Sequence, residues 1–187
     1  MKKIAIVILA LIASLAAVAQ QQKSDESNSK TLEFLKSEGS CLVKEFYDLG
    51  SVKGVSCKVL IITNVVSNKK IGCMRLETSY FSSATRSSDT YIGTLDADEI
   101  DACLKSLSYL KDNLFATNPL TYTEAEYKSR DKVTIGAFFS TEKNSWTAYV
   151  QTKSYTSRSS KFFDATNLEE LSFLMQEAKK MIEEKIK

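Results

Sequence analysis

The chain has 187 residues, 25 Lys and Arg against 23 Asp and Glu, a formal net charge of +2, and no histidine. So small an excess leaves no basic footprint for neutralising phosphates, which argues against nucleic acid as a partner. The missing histidine removes the commonest general base, the usual zinc ligand and every histidine-dependent triad.

The opening MKKIAIVILALIASLAAVAQQQ sets Lys2 and Lys3 before an apolar run from Ile4 to Val18, then the small residues Ala17-Val18-Ala19. That order reads as a secretory signal over 1–19, cleaved near Ala19, which places the mature chain in the periplasm or outside the cell. The rival reading is an uncleaved anchor, but the run falls short of the roughly 20 residues a spanning helix needs. No membrane span remains after cleavage. Loss of Lys2 and Lys3 takes the net charge to about 0. Residues 20–30, QQQKSDESNSK, carry no hydrophobic side chain and read as a disordered leader.

From Leu32 the chain becomes apolar, and residues 31–187 fit one α+β domain in size. Strands are predicted over 40–49, 55–66, 71–81 and 89–94, separated by the turns GSVKG, SNKK and a serine-rich stretch. Asp96 and Glu99 then form a capping pattern, followed by Ile100, Cys103, Leu104, Leu107, Leu110 and Leu114 at helical spacing. The acidic cluster Asp96, Asp98, Glu99 and Asp101 thus has a structural explanation in the first turn of a helix, and no metal or other cofactor is inferred from it.

The second half predicts the same order: strands over 120–127, 133–140, 145–155 and 161–163, then a helix from Asn167 with Leu171, Leu174, Met175, Ala178, Met181 and Ile182 on one stripe. With an offset of 74, Ile61 falls on Ile135, Leu76 on Val150 and Thr78 on Thr152. With 72, Arg86 meets Arg158; with 71, Ile100 meets Leu171 and Leu104 meets Met175. Two ββββα units, about 40–118 and 119–187, are therefore expected to form a curved antiparallel sheet with both long helices on one face. This tandem unit over residues 40–187 resembles the TATA-box-binding-protein-like fold. The resemblance rests on element order and duplication, and it implies a shape without implying DNA binding. In general style the chain also resembles small exported proteins of Gram-negative bacteria.

Strand alternation directs Val59, Ile61, Met74, Leu76, Val133, Ile135, Ala148 and Val150 toward the helices. It directs Leu60, Ile62, Arg75, Phe138 and Tyr149 to the opposite face. An exposed face with those side chains suits a ligand, a partner or a second copy of the chain. The alternative is a cover formed by the segment around Leu32, Phe34 and Leu35. Trp146, Tyr149, Tyr155, Phe162 and Phe163 suit either a binding platform or core. Arg86 and Arg158, in matching turns, suit bonding to carbonyls or an anion site. Cys41, Cys57, Cys73 and Cys103 are either disulfide partners, as an oxidising compartment permits, or small buried thiols.

With no GxSxG, phosphate loop or EF-hand spacing, the expected function is a non-catalytic exported binding module for an unknown protein, peptide or small ligand. The alternatives are a hydrolase using carboxylates or a Ser/Lys pair, and a self-associating envelope subunit forming a homo-oligomer.

Overall fold

The computed structural model describes residues 28–187; the predicted signal and most of the predicted leader lie outside them. Its elements are α1 (Lys30–Leu35), β1 (Leu42–Val52), β2 (Val55–Asn64), β3 (Lys69–Ser82), β4 (Ser87–Asp96), α2 (Ile100–Tyr109), β5 (Thr123–Lys128), β6 (Thr134–Ser140), β7 (Ser145–Gln151), β8 (Ser160–Asp164) and α3 (Asn167–Lys185). The protein is α+β, and its strands follow the predicted tandem order. They form two four-stranded antiparallel sheets, β1-β2-β3-β4 and β5-β6-β7-β8, in place of one continuous eight-stranded ladder.

With Thr78 matched to Thr152 at 74, strand pairing sets the rest of the correspondence between the units and corrects the other offsets read from the sequence. Phe46 pairs with Leu60 and Glu124 with Phe138, so the first two strands correspond at 78 residues. Val59 pairs with Met74 and Ala137 with Ala148, which keeps 78 for the second strand and gives 74 for the third. Met74 pairs with Leu95 and Ala148 with Phe163, so the fourth strand corresponds at 68. The helices continue at 68: the buried Ile100, Cys103, Leu107 and Leu110 match the buried Leu168, Leu171, Met175 and Ala178. Hairpin length causes the differences. The β6–β7 hairpin closes two pairs earlier than β2–β3, and β3–β4 runs five pairs beyond the point where β7–β8 ends.

One core unites the two units, and each long helix crosses to the other unit's sheet. Helix α3 lies over β1, β2 and β3. A Cβ on Gly72 would stand 2.7 Å from Ile182 of that helix, so glycine lets α3 settle onto β3. The Lys185 ammonium lies 4.8 Å from the Tyr47 ring centre on β1. Helix α2 packs against β5, where the Tyr127 hydroxyl donates to the Glu99 carbonyl at 3.4 Å. After α2 the helix widens into one π-type turn (Leu110–Leu114), and Trp146 of β7 donates its indole N–H to the Thr117 carbonyl at 3.0 Å. Val59, Ile61, Val133 and Ile135 all face this core, as alternation predicts.

The units meet around two buried hydroxyls. The Thr78 and Thr152 side chains, at equivalent positions, stand 2.9 Å apart. Thr78 donates to the Ser159 carbonyl at 3.0 Å, and Thr152 approaches the Tyr91 carbonyl at 3.4 Å. Thr152 follows Thr78 by 74, and Ser159 follows Tyr91 by 68. The correspondence that takes Thr78 to Thr152 therefore carries one contact onto the other. Reciprocity of this kind marks a two-fold relation between like units. Two hydroxyl protons cannot serve three acceptors, so the chain Thr152 to Thr78 to the Ser159 carbonyl uses the two shorter contacts. Close by, a Cβ on Gly93 would fall 2.3 Å from Val133 and 2.7 Å from the Thr152 carbonyl, so glycine permits β4 to approach the second unit.

Candidate functional site

The outer faces of the two sheets differ. Over sheet one lies α1, whose Phe34 and Leu35 pack on Leu60, Ile62 and Cys73, with Leu42 and Ile71 at the margin. The expectation of an open face therefore fails at Ile62, which is fully buried. Asp96 anchors this cover. Its carboxylate accepts from the Lys30 N–H at 2.8 Å, the Thr31 N–H at 3.0 Å, the Thr31 hydroxyl at 2.6 Å and the Ser29 hydroxyl at 2.9 Å. The predicted cap of α2 thus also supplies the acceptor for the free first-turn amides of α1. Residues 28–30 correct the predicted leader at its end, since Ser29 is buried in this contact.

The other acids near Asp96 are likewise structural. Glu99 accepts from the Asp96 N–H at 3.0 Å and from the Arg130 N–H at 2.7 Å. Asp98 pairs with Arg130 and with Lys30, and the Arg130 guanidinium is the main reason its carboxyl is held down at about 2. Asp131 accepts from the Thr94 N–H at 2.9 Å and from the Thr94 hydroxyl at 3.1 Å, tying the β5–β6 turn to β4. Among the described residues, no group of three or more Cys, Asp and Glu could hold a metal ion.

Among the described residues, sheet two has no such cover. Its outward positions include Glu124 and Glu126 on β5, Phe138 on β6, Tyr149 on β7 and Phe162 on β8, with Tyr122 just before β5. Phe138 is central: its ring centre lies 5.9 Å from that of Tyr122, 6.2 Å from Tyr149 and 6.2 Å from Phe162, the last edge-on. Tyr122 and Phe162 keep 61% and 60% of their surfaces exposed, while Phe138 is half-buried and Tyr149 is buried beneath its neighbours. Gly136 separates Glu126 from Tyr149 across the ladder, and the Tyr149 hydroxyl reaches both acids. It stands 2.6 Å from Glu124 Oε1 and 2.8 Å from Glu126 Oε2. Burial, followed by these two hydrogen bonds, raises the Tyr149 phenol far above its ordinary value, so it keeps its proton. That single proton can satisfy one carboxylate at a time.

The equivalents on sheet one explain the difference. Arg75 occupies the place of Tyr149, and Phe46 that of Glu124. The Arg75 guanidinium lies 5.3 Å from the Phe46 ring centre and donates to Glu77 at 2.6 Å; Lys58 reaches the same carboxylate at 3.0 Å. Sheet one thus carries its own cation over its own ring. The α1 footprint of Ile62, Ile71 and Cys73 becomes Ser140, Ser145 and Thr147 on sheet two, which removes the apolar ground for a covering helix.

The remaining predicted site residues lie elsewhere. Arg86 sits exposed at the tip of the long β3–β4 hairpin with a φ of 51°. Arg158 lies in a short 3-10 turn (Ser157–Ser159) before β8, its guanidinium 5.1 Å from the Tyr80 ring centre. Both occupy the connection between third and fourth strands, but the ladders give them different places and the expected equivalence fails. All four cysteines are free thiols, which sets aside the disulfide reading. Burial pushes Cys57, Cys73 and Cys103 up to about 12, leaving Cys41 as the exposed thiol. The sequence reading did not single out Glu124 and Glu126, although the alternation in TYTEAEYK sets Tyr122, Glu124, Glu126 and Lys128 on one side of the strand.

A groove of about 640 Å³ also runs between α2 and α3, floored by Leu104, Leu107, Leu168 and Phe115. Of its polar lining, Ser172 donates to the Leu168 carbonyl, Ser108 donates to Asp112, and Lys111 pairs with Glu169 at 2.7 Å. No protein-family model, curated protein or solved structure matches the chain.

Proposed function

We propose that this is an exported, non-catalytic binding protein whose ligand-receiving surface is the outer face of sheet two. One observation carries the proposal: the ring cluster Tyr122, Phe138, Tyr149 and Phe162, exposed at Tyr122 and Phe162, on a sheet whose counterpart is closed by α1. Rigid aromatic rings offer large contact area at little entropic cost, and a pleated sheet holds them in fixed relation. Export rests on the signal read over residues 1–19 and cleavage near Ala19. The TATA-box-binding-protein-like layout enters only as a shape with a helix-covered side and a free side. A hydrolase reading draws less support, because Asp96, Glu99 and Asp131 each accept backbone N–H groups that shape the fold.

Photo-cross-linking in the producing cells tests the proposal. A benzoylphenylalanine at position 162 is expected to give discrete adducts, while the same group at Arg86, exposed at the tip of the β3–β4 hairpin, gives none. An adduct at twice the mass of the chain would identify the ligand as a second copy. Equal yields from the two positions, or none from 162, would overturn the assignment.

A further inference from the structure

We propose that the free edge of sheet one, strand β1, pairs antiparallel with β1 of a second copy of this chain about a two-fold axis at Phe46. The pairing joins two copies of sheet one into one continuous sheet, and it is independent of the sheet-two surface.

Strand β1 ends its sheet and is bonded to β2 alone, so its other side offers N–H and C=O groups to a further strand. The opposite terminal strands are engaged with the other unit: Thr94 of β4 donates its N–H to Asp131, and Lys161 of β8 reaches the Ser79 carbonyl at 2.6 Å. The apolar side chains of β1 are also open. Val43 keeps 47% of its surface exposed and Phe46 51%, although the Arg75 guanidinium lies over the Phe46 ring.

The residues of β1 decide what fits this edge. When identical strands pair antiparallel, the axis passes through one residue and sets positions equally spaced on either side against each other. With the axis at Phe46, Lys44 stands opposite Asp48 of the second copy, twice by symmetry. The two Phe46 rings meet, and Glu45 stands opposite Tyr47. Lys44, Phe46 and Asp48 share the outer face, because they pair with Ile62, Leu60 and Lys58 of β2. Neither Lys44 nor Asp48 has an ion pair among the described residues, and one Asp48 oxygen accepts the Gly50 N–H at 2.7 Å, leaving the other available. Opposite charges and paired aromatics stabilise neighbouring strands, and like charges destabilise them. The other registers fail on that rule. An axis at Lys44, Glu45 or Asp48 sets a charge against its own kind, and one at Tyr47 sets Phe46 against Asp48. The bulge between Asp48 and Gly50 stops the ladder just beyond the ion pair. On β5, the remaining free edge, an axis at Ala125 sets Glu124 against Glu126, and one at Glu126 sets that acid against itself. Use of one self-complementary edge closes the assembly as a dimer.

Sedimentation of the full mature chain tests the pairing. The parent is expected to form a dimer that dissociates on dilution from about 1 mM. Lys44→Glu and Asp48→Lys should each weaken dimerisation about tenfold or more, because each sets two like-charge pairs across the axis. An equimolar mixture of the two variants should regain the parent's dimer, since Glu at 44 of one then faces Lys at 48 of the other. Dilution of the parent should also move the backbone amide resonances from Lys44 to Asp48 and leave those of β5 in place. A parent that stays monomeric, a dimer indifferent to Lys44→Glu, or dilution shifts centred outside β1 would overturn the inference. So would a mixture that stays monomeric while both variants keep the parent's amide spectrum outside β1. Should Asp48→Lys disturb the bulge it caps, the dilution shifts and Lys44→Glu decide the matter.

Discussion

Sheet one and sheet two have the same strand order and contribute to one core, yet they finish their outer faces in opposite ways. On sheet one, apolar Leu60, Ile62 and Cys73 are closed by α1, and Arg75 is neutralised by Glu77 over Phe46. On sheet two, the covered positions have turned to serine and threonine, and the arginine's place has gone to a tyrosine among exposed rings. In this repeat-like layout the inner faces are constrained alike, because both units contribute to one core. The outer face is freed: once one copy is covered, the other can be altered without exposing the core. The two outer faces part where equivalent positions stop agreeing in chemistry.

Removing the acid that anchors the cover should widen the comparison most. Asp96→Ala leaves two backbone amides and two hydroxyls near α1 without their acceptor, at an expected cost of about 3–5 kcal/mol in chemical denaturation. The equivalent Asp164→Ala, at an exposed position, should change stability by less than about 0.5 kcal/mol. Similar losses at both would break the distinction between a covered and an open face.

The seam should respond symmetrically. Thr78→Val and Thr152→Val remove hydroxyls and keep shape, and each should cost about 1–2 kcal/mol. The double variant should lose less than the sum, by about 1 kcal/mol, because both belong to one hydrogen-bonded chain. Strict additivity would show that the two hydroxyls do not act together.

The smallest effect is in acid. Asp98 is ionised more readily in the folded chain, so it stabilises the protein above the ordinary carboxylate value, and that contribution is lost as pH falls toward about 2. Asp98 is about half exposed, so the loss is modest and shrinks further in salt. Between pH 4 and 2 the melting temperature should fall less steeply in Asp98→Asn than in the parent. An unchanged slope would remove Asp98 from the acid response.

Much of the fold was legible because its signals are periodic, and what was misread was misread for the same reason. Matching β2 to β6 at 74 instead of 78 slips by four residues, and an even slip leaves every strand residue on its correct face. Val59, Ile61, Val133 and Ile135 were therefore placed in the core from a register that was wrong. Matching the helices at 71 instead of 68 slips by three, which on a helix lands close to the same stripe. Periodicity indicates the face and conceals the register; only pairing across the ladder supplies it. Thr78 and Thr152, matched in the sequence, do meet, because β3 and β7 really do correspond at 74.

The site was less legible. Phe138 and Tyr149 were recognised as outward-facing and Ile62 was grouped with them; the alternative cover by the segment around Leu32, Phe34 and Leu35 is what the structure shows over Ile62, but nothing local says that it closes one sheet and spares the other. That decision lies in contacts from Ser29, Lys30 and Thr31 to Asp96, some 65 residues away in the chain. Glu124 and Glu126 gain meaning only when strand pairing brings Tyr149 across Gly136 to both of them.

The most direct test makes one change at two equivalent positions. Leu60 lies beneath α1 and Phe138, half-buried, at the centre of the ring cluster, each outward on the second strand of its unit. Leu60→Ser should cost about 3 kcal/mol, from the emptied contact and the hydroxyl it buries. Phe138→Ser, on a face that water already reaches, should cost about 1 kcal/mol. Denaturant midpoints that fall by that ratio support one closed and one open face. Equal losses at the two positions would contradict it.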